Sequence, residues 1–156
     1  MLRGPQGLLF GRNVTGGAVV VRTSTPETNG DLKIEGRMAL ETGLNKIASA
    51  VVSGPLIEDK LAAKVAVYYN DDDGYFTNQF NGNNDFGAAE TLILRGALNF
   101  TPTDTVQMIA RYERGQVRGD GAVVSNFGLF QRESFGISVN EEGVTRNDWN
   151  QASLEI

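Results

Sequence analysis

The chain is 156 residues long, carries no cysteine and no histidine, and has a formal net charge of −5. The missing thiol rules out disulfides, and the missing imidazole removes the commonest general base and transition-metal ligand, so an enzyme would be left with carboxylate chemistry. The acidic balance argues against a nucleic-acid partner, which needs a basic surface.

The chain opens on a glycine-rich stretch, RGPQGLLFGRNVTGGAVVVRT, from Arg3 to Thr23. It closes on Ala18-Val19-Val20-Val21, a run that favours a strand. The whole chain has 19 glycines, well above the usual share of about 7%. A phosphate-binding loop is a poor account, because neither G-x-x-x-x-G-K-[ST] nor a post-strand G-x-G-x-x-G is present. Met1-Leu2-Arg3-Gly4-Pro5 has neither the basic region nor the apolar core of a secretory signal. Taken as complete, the chain would be cytoplasmic; so abrupt a start reads instead as a truncation. No run approaches the roughly 18 apolar residues of a membrane helix.

From here the pattern is β, with apolar residues at every second position in several windows. In Leu32–Glu41, the residues Leu32, Ile34, Gly36, Met38 and Leu40 face one way and Lys33, Glu35, Arg37, Ala39 and Glu41 the other. Gly43–Asn45 reads as a turn. Lys46–Ser53 is small and apolar with poor alternation, and Gly54-Pro55 is expected to end it, since proline cannot donate to a ladder. In Leu61–Asn70, Leu61, Ala63, Val65, Val67 and Tyr69 oppose Ala62, Lys64, Ala66, Tyr68 and Asn70. A polar segment follows to about Glu90. In Thr91–Phe100, Leu92, Leu94, Gly96, Leu98 and Phe100 oppose Arg95, Ala97 and Asn99. After a turn at Thr101–Asp104, Val106, Met108, Ala110 and Tyr112 oppose Gln107, Arg111 and Glu113. A second long segment spans about Arg114 to Arg146, and a sixth strand begins near Asn147.

Connections alternate between short and long, with the Gly43 turn as the exception. Strands of about 8–10 residues joined this way suit a transmembrane β-barrel. A soluble antiparallel sandwich also alternates, and alternation alone leaves the two about even. The charges on one strand face suit a wet lumen, and Tyr69, Phe100 and Tyr112 near strand ends suit an aromatic girdle. Asn70–Gly74 (NDDDG) fails the calcium-loop template, because Tyr69 falls at its first ligand position. A solvated loop tip is the better account. Asn78–Gly87 likewise reads as a polar loop whose Phe80 and Phe86 are open to substrate contact or local packing.

The segment Leu2–Pro26 resembles the C-terminal part of the plug domain in TonB-dependent outer-membrane receptors. The parts stand in order: Arg3-Gly4-Pro5, Gly7, Phe10-Gly11-Arg12-Asn13, Gly16-Gly17, then Val19-Val20-Val21. Ala50–Phe76 is similar to the family's second and third barrel strands with the periplasmic turn between them. The resemblance implies an all-β fold, with residues 1–28 as the end of a plug and residues 29–156 as the first, truncated part of a transmembrane barrel. Glycines fit a plug packed inside a barrel, where chains approach closely.

Family barrels have about 22 strands, so six strands would make this chain a fragment and Met1 an internal methionine. The resemblance further implies energy-coupled uptake of a scarce nutrient, such as an iron–siderophore complex, across the bacterial outer membrane. Its partners would be outer-membrane lipid, the TonB energising complex acting on a plug N-terminus outside this chain, and a small-molecule nutrient or metal chelate. No catalysis, cofactor or resident metal is implied. Lys33, Glu35, Arg37, Lys64, Arg95, Arg111 and Glu113 would line the lumen. In the family, plug arginines meet barrel acids, which makes Glu35 and Glu41 conceivable partners of Arg3 and Arg12. The competing readings are a complete small β-protein, as a binding module or minimal barrel, and, with only scattered carboxylates in its favour, an enzyme on a β scaffold.

Overall fold

A computed structural model describes residues 23–42, 45–124 and 135–156, and the backbone of residues 2–3 and 17–18. Every regular element among them is a strand. Leu2–Arg3 (β1) pairs antiparallel with Gly17–Ala18 (β2), setting Arg3 opposite Gly17. The remaining positions of the glycine-rich motif, Gly4, Pro5, Gly7, Phe10, Gly11, Arg12, Asn13 and Gly16, lie outside the described residues.

Six long strands form one sheet: Lys33–Leu40 (β3), Lys46–Ile57 (β4), Leu61–Asp72 (β5), Ala89–Thr103 (β8), Val106–Asp120 (β9) and Val144–Glu155 (β11). Three short strands, Phe76–Asn78 (β6), Asn83–Phe86 (β7) and Gly136–Ile137 (β10), form a second sheet. In the large sheet each strand pairs antiparallel with the next in sequence, giving the order β3-β4-β5-β8-β9-β11. β3 and β11 are its two edges, so the sheet does not close on itself. A minimal barrel, which needs first and last strands paired, is therefore not what these strands build.

The boundaries differ from the sequence expectation in several places: β5 runs on to Asp72, β8 runs from Ala89 to Thr103 and so through most of the turn expected at Thr101–Asp104, and β11 begins at Val144 rather than near Asn147. β4 runs through Gly54-Pro55, with Pro55 opposite Ala62 and an irregularity before Ile57. The ladder with β3 stops at Ser53, so Pro55 lies where no strand needs its missing N–H. β9 continues from Glu113 to Asp120, although RGQVRGD has no apolar alternation. It is paired on both sides there, by β8 and β11, and those ladders outweigh its polar composition. Glu41 falls outside β3: its N–H donates to the Asn45 carbonyl at 2.9 Å, and its carboxylate accepts from Asn45 Nδ2 at 3.2 Å.

The register gives the sheet two unlike faces. Residues directly opposite in antiparallel strands share a face. One row reads Ile34, Val52, Val65, Gly96, Tyr112 and Ala152 across all six strands. The row below it on β4 to β11 is Gly54, Ala63, Leu98, Ala110 and Leu154. This apolar face is open: Met38 is 88% exposed, Ile34 70% and Val65 63%. An ordinary domain would bury such a face against a second layer. Among the described residues the buried apolar side chains are Ala62, Phe86 and Ile137 with Pro26, so no second layer covers it.

The small sheet belongs to the long connections. Phe86 and Ile137 form its buried centre, and β10 runs parallel to β6. Beside it, Tyr75 stacks on Phe76 at 4.6 Å, and Phe135 meets both rings edge-on. The segment expected to be a polar loop is thus folded, with β6 and β7 paired within it and β10 of the second long connection added alongside β6.

Candidate functional site

The second face of the large sheet carries the charge. Two adjacent rows cross it from β3 to β11: Glu35, Val51, Ala66, Arg95, Glu113, Gln151, and Lys33, Ser53, Lys64, Ala97, Arg111, Ser153. Arg37 stands in the next row with Ser49, Tyr68, Ile93, Gly115 and Trp149. All seven charged residues singled out from the sequence therefore share one face, six of them in two neighbouring rows. Period-two alternation fixes face within one strand; only the ladders align those faces across six.

Several of the charges there are paired. Arg95 Nε meets Glu113 Oε2, and the other Glu113 oxygen accepts from Trp149 Nε1 at 2.8 Å. Arg111 Nη1 reaches Glu155 at 2.8 Å. Trp149 was not expected at the site. Its indole lies over Gly115, where a β-carbon would stand 1.9 Å from Cζ2 of Trp149. A strand glycine opposite an aromatic residue is the signal that would have found it, had the register been known.

A short segment between the glycine-rich stretch and β3 crosses this face. Lys64 Nζ donates to Ser24 Oγ. Arg111 Nη2 donates to Thr25 Oγ1 at 3.2 Å, and Asn99 Nδ2 donates to the Pro26 carbonyl at 2.9 Å. Lys33 Nζ meets Glu27 at 2.9 Å, and the Asp59 N–H donates to the Thr28 carbonyl at 2.9 Å. The Lys33 ammonium, by hydrogen bond first and charge second, holds the Glu27 carboxyl below its ordinary range. Pro26 is fully buried and Asn99 nearly so. Asn99 is satisfied on its other side by Gln107 Nε2, at 3.0 Å. An open cleft of about 580 Å³ remains on the wall, bordered by Ser24, Lys64, Arg95, Arg111, Glu113 and Gln151.

The acidic run is accounted for by local structure. Lys46 binds Asp71 at 3.3 Å and Asp73 at 3.1 Å, and Asp72 accepts from the Gly74 N–H at 3.1 Å. Asp120 accepts from the N–H groups of Gly87 and Ala88 at 2.9 and 3.0 Å. Glu142 gathers the side-chain amides of Asn78, Asn81 and Asn83 at 3.0 to 3.1 Å. Those bonds, Asn78's first, hold the Glu142 carboxyl below its ordinary range. Phe86 packs locally, while Phe80 remains exposed. For Arg3 and Arg12 the contact with Glu35 or Glu41 lies outside the described side chains.

By its fold and charge, the chain belongs to the class of two-faced up-and-down sheets, apolar on one side and polar on the other. Comparison with curated proteins adds a particular likeness. Over 104 residues the chain is 30% identical to pesticin receptors of Yersinia enterocolitica (including serotype O:8 / biotype 1B) and Yersinia pestis. The match covers 67% of this chain and 15% of each of those proteins. These relatives are named as receptors, not enzymes. No family model matches the chain, and no solved structure matches it.

Proposed function

We propose that this chain is part of a TonB-dependent receptor, contributing the end of the plug and the first strands of the barrel, and that the whole receptor takes up a scarce nutrient across the bacterial outer membrane. The observation that carries this reading is the pair of unlike faces. Every strand of the large sheet presents apolar residues to one side without a covering layer, and all but β4, which contributes Ser49 and Ser53, present ionic residues to the other. Water disfavours the first face, and hydrocarbon disfavours the second; a barrel wall between lipid and a wet lumen suits both.

Dimensions support it. The apolar stretch Leu92–Phe100 of β8 spans eight residue steps, or about 27 Å along the strand, which at a tilt of about 40° is about 21 Å of membrane depth. That approaches the outward apolar band of about 25 Å in such barrels. The boundary is oblique: the row of Met38, Ala48, Tyr69 and Leu92 turns polar at Gln116 and Asp148. Tilted strands produce such a slope. Above it, β8 and β9 project beyond the band and carry the folded connections, which in the receptor face outside. The two free edges await further strands, in keeping with a match to only 15% of the pesticin receptors' length. On this reading the seven charged residues line the lumen, and a nutrient or metal chelate passes along that side after TonB moves the plug.

The test is a paired substitution in the whole receptor. Val65→Arg places a cation on the apolar face and should cost roughly 2–4 kcal/mol if the site is near the bilayer midplane. Ala66→Arg places it on the polar face and should be nearly neutral. Equal tolerance of both in a membrane-insertion titration would count against the lipid-facing assignment.

A further inference from the structure

We infer that Thr23–Thr28 is a fixed strap on the polar wall, which stays in place when the plug rearranges. This rests on the plug-and-barrel reading above. The strap is held at five consecutive residues by partners on different parts of the sheet: Ser24 by Lys64 of β5, Thr25 by Arg111 of β9, Pro26 by Asn99 of β8, Glu27 by Lys33 of β3, and Thr28 by Asp59 of the β4–β5 turn. These contacts differ in weight. The exposed Lys33–Glu27 pair contributes little. The Pro26 site contributes most, since its ring is fully buried and its carbonyl is bound by a buried amide. Proline has no N–H, so burying it orphans no donor.

The strap also divides the wall. Ser24 and Lys64 border both the 580 Å³ cleft towards β9 and β11 and a second cleft of about 260 Å³ towards β3 and β4. Anything moving along the polar face passes on one side of the Ser24–Lys64 contact or the other. A strap that left with the plug would merge the two clefts and leave Lys64 without Ser24 and Arg111 without Thr25. A strap that stays keeps Lys64 and Arg111 engaged and confines passage to one side. Lys64 and Arg111 are thus positioning residues for the strap.

Thr28 is half-buried and is held through its backbone carbonyl, and this chain has no cysteine of its own. In the whole receptor, Thr28→Cys is reacted with N-ethylmaleimide in energised cells and in cells uncoupled by a protonophore. A fixed strap gives rates equal within about twofold, whereas Asn99→Ala with Lys64→Gln and Arg111→Gln, which removes the main anchor and its two flanking contacts, raises the rate by about fivefold or more. A rate that rises on energisation in the otherwise unaltered receptor overturns the inference, as does an unchanged rate in the triple variant. If the triple variant fails to assemble, Asn99→Ala alone serves in its place, with the same two outcomes. Failure of the receptor to fractionate with the outer membrane would overturn the proposed function instead. The comparison of that variant with the unaltered strap on purified protein still decides whether the strap is held.

Discussion

Trp149 is the only tryptophan of the chain, which makes its environment directly readable. Its ring covers Gly115 and its Nε1 holds Glu113, so one side chain fixes the ladder between β9 and β11 and orients the acid that meets Arg95. Gly115→Ala forces the indole aside and breaks that bond, at about 1–2 kcal/mol. Its tryptophan emission should shift to the red. Trp149→Phe keeps a ring over the glycine and loses only the bond, so its cost should be smaller. An unshifted spectrum in Gly115→Ala would mean the ring does not rest there. At the far end of the molecule, Glu142 acts as the common acceptor for three asparagines. Its folded pKa is lowered, so its contribution is present above the unfolded value, near 4.3, and is lost as pH falls through the folded one. The Val139 amide, which donates to Asn78, reports on that cluster. Its exchange protection, corrected for intrinsic rate, should hold at neutral pH and fall below about pH 4. Glu142→Gln should remove that acid-dependent step.

At the level of elements, the long connections are built from turns that depend on backbone placement. Gly74 has φ +75°, and a β-carbon there would stand 2.2 Å from the Asp85 carbonyl oxygen. Both the left-handed conformation and the close backbone approach require glycine. Gly74→Ala should cost about 2 kcal/mol or more. The loss should be local, because the six-stranded ladder does not run through it. Limited proteolysis should therefore cut between Asp73 and Ala88 in the variant, while the strands stay protected. Cleavage spread evenly over the chain would show that the connection and the sheet fold as one unit.

For the molecule as a whole, the open apolar face decides solution behaviour. With Ile34, Met38, Val65, Leu98 and Leu154 exposed together, the isolated chain should aggregate in water and become dispersed in detergent micelles. Monodisperse behaviour in water without detergent would contradict the two-faced sheet. Much of this architecture was legible in advance. Alternation in Leu61–Asn70 and Thr91–Phe100 assigned each residue a face correctly, because period two is a local property of an extended backbone. The upper half of β9 was not legible, because RGQVRGD becomes a strand only through neighbours supplied by β8 and β11. Nor was the folded state of the long connections, since β6 meets β10 across some sixty residues and no local pattern records that pairing.

The amino-acid sequence by itself determined that this protein is a β protein with unlike faces and a glycine-rich opening. Those features follow from side-chain periodicity and from the conformational range of glycine, which need no partner to be expressed. Tertiary structure alone decided that Glu35, Arg95 and Glu113 share one row, that Trp149 lies over Gly115, and that Thr23–Thr28 crosses the polar wall. Each of these depends on inter-strand register, and register is set when distant segments pair, because a slip of one residue would turn every side chain to the opposite face.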